Sequence, residues 1–215
     1  MQSLPYAPSK RRTLTMYTKF HFFVWLLCLS TITIAHGLVS TQEIAETPGE
    51  MMAQMAKKGE LYATPHQPHQ LLEQLRGEWL TSTVVMGMEE EQGSANGNMI
   101  LGGRFLEMKY RGVFMGVDLE GIFILGYDNY KHKYTAVFID NLNTSTRIAE
   151  GTMDQTNTVL SLWGTMDEWL TDEHDIAVLY RFRIKSPSLI ILEIHDLTIS
   201  LGNTNVVEIT FVKTK

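Results

Sequence analysis

From Trp79 onward, apolar and polar residues alternate with a period of two, and this pattern limits the fold more than any other feature of the chain. The alternation is clearest in residues 105–111 and 176–185. The apolar positions on one face of these two segments are Leu106, Met108, Tyr110, Val178, Tyr180 and Phe182. A strand with one apolar and one polar face is typical of an antiparallel sheet that encloses a core.

Residues that favour turns divide this region into further strands. The predicted turns are residues 93–97, 102–103, 128–133, 154–158, 186–188 and 202–205. About eight to ten strands fit between Trp79 and Val212, with no room for crossover helices. A meandering sheet of this size tends to close, because closure removes its edges. The sequence therefore predicts an all-β fold, an antiparallel β-barrel with a short N-terminal helix, and two packed sheets are the alternative.

Two segments before Trp79 have helical patterns instead. Residues 50–58 are expected to form two helical turns, with three methionines on an apolar face that lies on the barrel. Residues 65–76 are expected to form a second helix with an apolar stripe of leucines, ended by Gly77. His66 and His69 lie three residues apart, but no third ligand completes a metal site at helical spacing.

The first 37 residues have the three parts of a secretory signal. Lysines and arginines in residues 10–19 precede an apolar run, residues 20–35, and then Ala35-His36-Gly37. We therefore expect a signal peptide at 1–37, a linker with a short helix at 38–64, a barrel domain at 65–215, and export to the periplasm or the medium. A retained membrane anchor is the alternative, although a spanning helix needs about 20 apolar residues and this run contains polar ones.

Charge and cysteine content exclude several classes of function. The whole chain has a net charge of −6, and removing the four basic residues of the first 37 leaves 14 basic against 24 acidic residues, or −10. Such a surface repels nucleic acids and anionic membranes, so we expect neither as a partner of the mature protein. The single cysteine, Cys28, lies in the predicted signal, which leaves no thiol for disulfides or metal sites after cleavage.

Seven short segments carry a family resemblance. They are residues 69–79 (HQLLEQLRGEW), 99–106 (MILGGRFL), 115–116 (MG), 120–121 (EG), 125–129 (LGYDN), 139–141 (IDN) and 150–154 (EGTMD). Their order and spacing resemble domain-of-unknown-function family 1579, a group of mostly bacterial proteins related to the calycin barrels, and Gly77-x-Trp79 resembles the start of the lipocalins. The resemblance implies a calycin-like barrel and no particular activity. Residues 163–175 depart from the family pattern, with a charged loop in place of one that contains proline and glycine.

Two polar residues in apolar strands are candidates for chemistry. Asp140 ends a strand, where a carboxylate at a barrel rim can be partly buried, although a turn cap formed with Asn141 is the simpler interpretation. His195 could ligate haem only if it pointed inward, and its parity with Glu193 favours the outside. The acidic groups at 89–91, 167–168 and 172–173 lack the spacing of a calcium loop and are interpreted as solvated.

Three functions are compatible with these patterns. The first is a barrel that binds a small apolar ligand, without a cofactor, beside the gap that Gly121 leaves. The predicted ligand-binding residues are Met108, Tyr110, Phe123, Tyr127, Tyr180 and Phe182. The second is a filled barrel that serves as an interaction module of the cell envelope. The third is an enzyme or haem protein on the same scaffold, with Asp140 or His195 as its functional residue.

Overall fold

Ten antiparallel strands form a closed barrel in the computed structural model, which describes residues 47–168 and 171–214. The strands are β1 Gly77–Val85, β2 Glu91–Ile100, β3 Phe105–Phe114, β4 Val117–Asp128, β5 Lys133–Asp140, β6 Arg147–Met153, β7 Val159–Glu168, β8 Glu173–Ser186, β9 Leu189–Asp196 and β10 Asn205–Lys213. Each strand pairs with its neighbours in sequence, and β1 also pairs with β10. The predicted antiparallel barrel is confirmed, and the two-sheet alternative is not what forms.

The inward face of each strand is the apolar face that the alternation indicates. Leu106, Met108, Val178, Tyr180 and Phe182 are buried, and Tyr110 packs against the core they form. Cross-strand pairing keeps these residues on one side of the sheet, because a shift of one residue would turn the whole apolar set outward.

Stacked aromatic rings fill the middle of the barrel. Phe123 stacks on Phe138 and on Phe182, with ring centroids 4.7 and 5.5 Å apart. The Phe138 ring stacks in turn on Tyr180 at 4.4 Å. The expectation that Gly121 leaves room for a ligand is wrong, because a Cβ at this position would lie 2.2 Å from the Tyr110 ring. Tyr110 occupies the space that the missing side chain frees.

A short helical segment closes one end of the barrel. It consists of a 3-10 helix, Gln67–His69, and helix α2, Gln70–Leu75, where the sequence predicted one helix over residues 65–76. The leucines of α2 are buried, and the Trp79 indole N–H donates to the Leu75 carbonyl at 3.0 Å. Tyr134 donates to the Pro68 carbonyl at 2.9 Å, which ties the segment to β5.

Residues 93–97, predicted to be a turn, lie inside β2. Their glycines are required by close packing, since a Cβ on Gly97 would lie 2.5 Å from the Leu75 carbonyl oxygen. Residues 163–175 also differ from the predicted loop, because β7 continues to Glu168 and β8 already begins at Glu173. Both predictions are wrong for the same reason, because glycines and charged residues are typical of connections but lie here within strands.

Helix α1, Pro48–Ala63, is longer than the two turns predicted over residues 50–58. Thr47 and Glu50 form a capping box at its N-terminus. Its methionines are exposed, so the expectation that their face lies on the barrel is wrong. Its last turn is fastened to the barrel by the Tyr62–Tyr130 ring contact and by Asn129, whose amide donates to the Tyr62 carbonyl at 2.8 Å.

The predicted signal peptide and residues 38–46 of the predicted linker lie outside the described residues, so the domain boundaries stay predictions. Within the described part of the chain, no helix has the length and apolar character needed to cross a membrane.

Replacing Gly121 by Ala should destabilise the barrel by about 1–3 kcal/mol, because the new Cβ overlaps the Tyr110 ring. The penalty should shrink in a Tyr110→Leu background, which removes the ring. Denaturant unfolding of the two single variants and the double variant measures this coupling. Gly59→Ala is the control, since a Cβ there meets no atom within 4 Å. An equal cost of Gly121→Ala in both backgrounds would contradict the packing described.

His69, at the closed end of the barrel, should make stability depend on pH. Burial lowers the pKa of His69, and its Nδ1 accepts the His66 backbone N–H at 3.2 Å. As pH falls below about 6.5, the unfolded chain takes up a proton before the folded one does, so the free energy of unfolding should decrease. In His69→Gln, the decrease between pH 7.5 and 5.5 should be smaller than in the parent. Equal slopes in the two proteins would refute this role.

Candidate functional site

A groove of about 370 Å³ lies at the end of the barrel that α2 covers. One side of the groove is formed by Gln67, Pro68, Gln70, Leu71 and Gln74 of the helical segment. The other side is formed by the strand ends and turns that carry Tyr127, His132, Tyr134, Thr152, Met153 and Asn157. Cavities that hold small organic molecules have volumes of about 300–1,000 Å³, so the groove is within the range for a ligand.

Two turns place polar side chains along the groove. His132 and Asn157 both have left-handed backbone conformations, with φ of 56° in each case. Asp128 holds the first turn by accepting the backbone N–H groups of Tyr130 and Lys131. The second turn is held in the same way by Asp154. These aspartates are therefore structural, and they fix the positions of the neighbouring groove residues.

The lining of the groove is aromatic and amide-rich, and the described residues that form it include no carboxylate, lysine or arginine side chain. Tyr127 and Tyr134 meet edge to face, with ring centroids 4.9 Å apart. Burial raises the pKa of Tyr134 to about 12, so its hydroxyl stays protonated and remains the donor to Pro68. A surface of this kind suits an uncharged molecule that has a planar apolar part and hydrogen-bonding groups.

The structure does not bring the six predicted ligand-binding residues together around one cavity. Met108, Phe123 and Phe182 line an apolar void of about 10 Å³, which is room for about one water molecule. Tyr127 lines the groove at the covered end. Tyr110 and Tyr180 lie towards the opposite end, near Asp140.

Sequence reasoning missed most of the groove. Its glutamines, His132 and Asn157 lie in a helical segment and in turns, where no alternation marks which way a side chain points. The only sequence signal was the composition of the two turns, residues 128–133 and 154–158, and turn residues alone do not identify a binding surface.

Asp140 lies inside the barrel at the end opposite α2. Its side chain is 4% exposed and forms an ion pair with Arg147, which is 26% exposed and was not predicted from the sequence. Asp140 also accepts the Leu142 backbone N–H at 3.0 Å, and Asn141 accepts from the Glu120 N–H at 2.8 Å. The predicted turn cap is therefore present, together with a buried charge pair.

Two tyrosines, Tyr110 on β3 and Tyr180 on β8, lie close enough to this charge pair for its charges to act on them. Burial, and after it the nearby Asp140 carboxylate, raise the pKa of Tyr110 to about 12. Burial also raises the pKa of Tyr180. Both hydroxyls therefore remain protonated at neutral pH and are available as hydrogen-bond donors.

His195 faces the outside of the barrel, as its parity with Glu193 indicates. Its ring nitrogens contact Thr204 Oγ1 at 3.0 Å and Glu193 Oε2 at 3.3 Å. Glu193 also accepts from Arg183 Nε at 2.7 Å. Burial opposes ionisation of Glu193, but the hydrogen bonds from Arg183 and His195 outweigh it and lower the pKa of the carboxyl group. The inward orientation that an interior haem ligand requires is not met.

Comparison with known proteins identifies a family. A family model described as "Protein of unknown function (DUF1579)" matches residues 64–213. Among curated proteins, none matches the sequence. Two solved structures share low similarity with the chain. A redesigned beta barrel is 12% identical over 67% of this chain and 95% of its own, with a TM-score of 0.37. The S-type phycobiliprotein lyase of Guillardia theta is 14% identical over 70% of this chain and 94% of its own, with a TM-score of 0.46. At these TM-scores, neither bears on function. The match over 64–213 shows that this chain belongs to the DUF1579 family.

Proposed function

We propose that this is an exported protein that binds a small, uncharged organic molecule in the groove at the α2 end of the barrel, without covalent chemistry. The observation that carries the proposal is the difference between the two spaces. The groove has a volume of about 370 Å³, whereas the void among the interior aromatics has about 10 Å³. A ligand can enter the groove without moving the core.

The lining favours a ligand with both apolar and polar parts. Tyr127, Leu71 and Met153 provide apolar surface for a planar group. The three glutamines and Asn157 offer amide donors and acceptors, which orient a ligand without requiring it to be charged. A mainly apolar ligand enclosed by all six predicted interior residues would first have to separate the stacked rings of Phe123, Phe138 and Tyr180.

A second candidate is the interaction module of the cell envelope. The filled interior favours it, since such a barrel has no need of a cavity. The exposed methionines of α1, Met51, Met52 and Met55, provide an apolar face that a partner could cover. A groove that binds no small molecule would make this the better account.

Export is the part of the proposal that rests on the N-terminal pattern alone. Basic residues, an apolar run and small residues follow one another in the order of a secretory signal. The mature chain should therefore begin near Leu38. N-terminal sequencing of protein from the extracytoplasmic fraction measures this directly, and a chain that retains residues 20–35 would indicate an anchor instead.

Filling the groove should weaken ligand binding while the fold remains intact. Nile red, a neutral planar fluorophore, is a suitable probe. Gln74→Trp places an indole in the groove and should weaken binding about tenfold or more, which corresponds to about 1.4 kcal/mol. Fluorescence titration gives the Kd, and circular dichroism checks the fold.

Two matched variants control for binding elsewhere. Gln92→Trp introduces the same side chain at an exposed position of β2, and Met55→Lys disrupts the apolar face of α1. Both should bind Nile red as the parent does. Equal binding by Gln74→Trp and the parent would refute the groove, and a loss of binding confined to Met55→Lys would place the probe on α1.

A further inference from the structure

Four side-chain amides line the groove at the α2 end of the barrel. Gln67, Gln70 and Gln74 follow one another at spacings of three and four residues, so they share one face of the helical segment. Asn157 lines the other side of the groove, from the turn between β6 and β7. Within residues 47–168 and 171–214, these four amides form no hydrogen bond with another residue. Their donors and acceptors are therefore hydrated in the free protein and can exchange water for a ligand.

An apolar surface lies in the same groove, and its central ring is held in place. Tyr127 is half-buried, and its ring centroid lies 5.8 Å from that of His69 and 4.9 Å from that of Tyr134, both in edge-to-face contacts. Tyr134 is itself tied to the helical segment by its hydroxyl group. Leu71 and Met153 extend the apolar surface. A ligand therefore meets a ring whose position is already fixed, which lowers the entropic cost of binding.

The kinds of polar group in the groove indicate the chemistry of the ligand. Sites for small molecules are usually lined by apolar side chains with a few polar ones, whereas eight of the eleven residues that line this groove carry a polar group. Amides both donate and accept hydrogen bonds, and the hydroxyl group matches them in both directions without a charge. A ketone or ester only accepts, so it would cover amide oxygens without giving them a donor. Several hydroxyls on one uncharged frame are typical of a sugar.

We propose that the ligand of this groove is a neutral glycoside, in which a sugar ring binds the amides of Gln67, Gln70, Gln74 and Asn157 and an apolar aglycone packs on Tyr127. This inference rests on the proposed function, because it specifies the ligand of the same groove. The volume of about 370 Å³ is near the lower end of the range for small-molecule sites, which limits the ligand to about one sugar ring and its aglycone. Among the described residues that line the groove there is no lysine or arginine to bind an acidic or phosphorylated sugar.

Coumarin probes with and without a sugar test this inference in the full-length protein. 4-Methylumbelliferyl β-D-glucoside carries the sugar, and 7-methoxy-4-methylcoumarin has the same planar rings with a methyl group in its place. The corresponding galactoside, mannoside and N-acetylglucosaminide present other arrangements of hydroxyl groups. Fluorescence titration gives each Kd. At least one glycoside should bind about tenfold more tightly than the methyl ether and should displace Nile red. If none of the four glycosides binds more tightly than the methyl ether, the inference is overturned.

One amide can be removed without filling the groove. Gln70→Leu replaces an exposed amide by an apolar side chain of similar size. The glycoside should then bind about three- to tenfold less tightly, whereas the methyl ether should keep its Kd. Gln92→Leu makes the same change at an exposed position of β2 outside the groove, and it should leave both Kd values unchanged. A glycoside that binds Gln70→Leu as tightly as the parent would contradict the amide contacts.

The inference and the proposed function fail in different ways. Glycosides that gain nothing from the sugar, together with Nile red binding that Gln74→Trp weakens, would overturn the glycoside and leave the groove as a binding site. Nile red binding that Gln74→Trp leaves unchanged would overturn the groove itself, and the glycoside with it.

Discussion

The stacking of Phe123 between Phe138 and Phe182 determines most of what this barrel can do. Each of these rings comes from a different strand, so the stack links β4, β5 and β8 across the interior. Offset and edge contacts between rings add to the free energy of burial, and large rings fill a ten-stranded interior that would otherwise be open. Because this centre is occupied, the groove at the α2 end of the barrel offers more room for a ligand than the interior does.

The two ends differ in chemistry because different elements cover them. At one end, α2 buries its leucines and is held by Trp79, and the remaining gap against the strand ends becomes an uncharged groove. At the other end, none of the helices among residues 47–168 and 171–214 covers the interior, and the inward positions of β5 and β6 carry the Asp140–Arg147 pair. A charge pair there costs less than at the centre, since Arg147 keeps contact with solvent.

Alternation predicted the barrel and its inward face correctly because burial on one side of a strand leaves a direct pattern in the sequence. The strand through Gly93–Gly97 was missed because its glycines match a turn, although Gly97 is needed for the approach of α2. Arg147 was missed because it follows a polar turn, where inward and outward positions look alike. The groove joins residues that are far apart in sequence, and no local pattern relates them.

Xenon binding tests most directly whether the interior is filled. Xenon enters apolar cavities of protein interiors and needs far more room than the void of about 10 Å³ beside Phe123 and Phe182. A crystal of the protein pressurised with xenon should therefore show no xenon atom among the stacked rings. A well-occupied xenon atom in contact with Phe123 would contradict the account, because it would reveal an interior cavity and return the ligand site to the middle of the barrel.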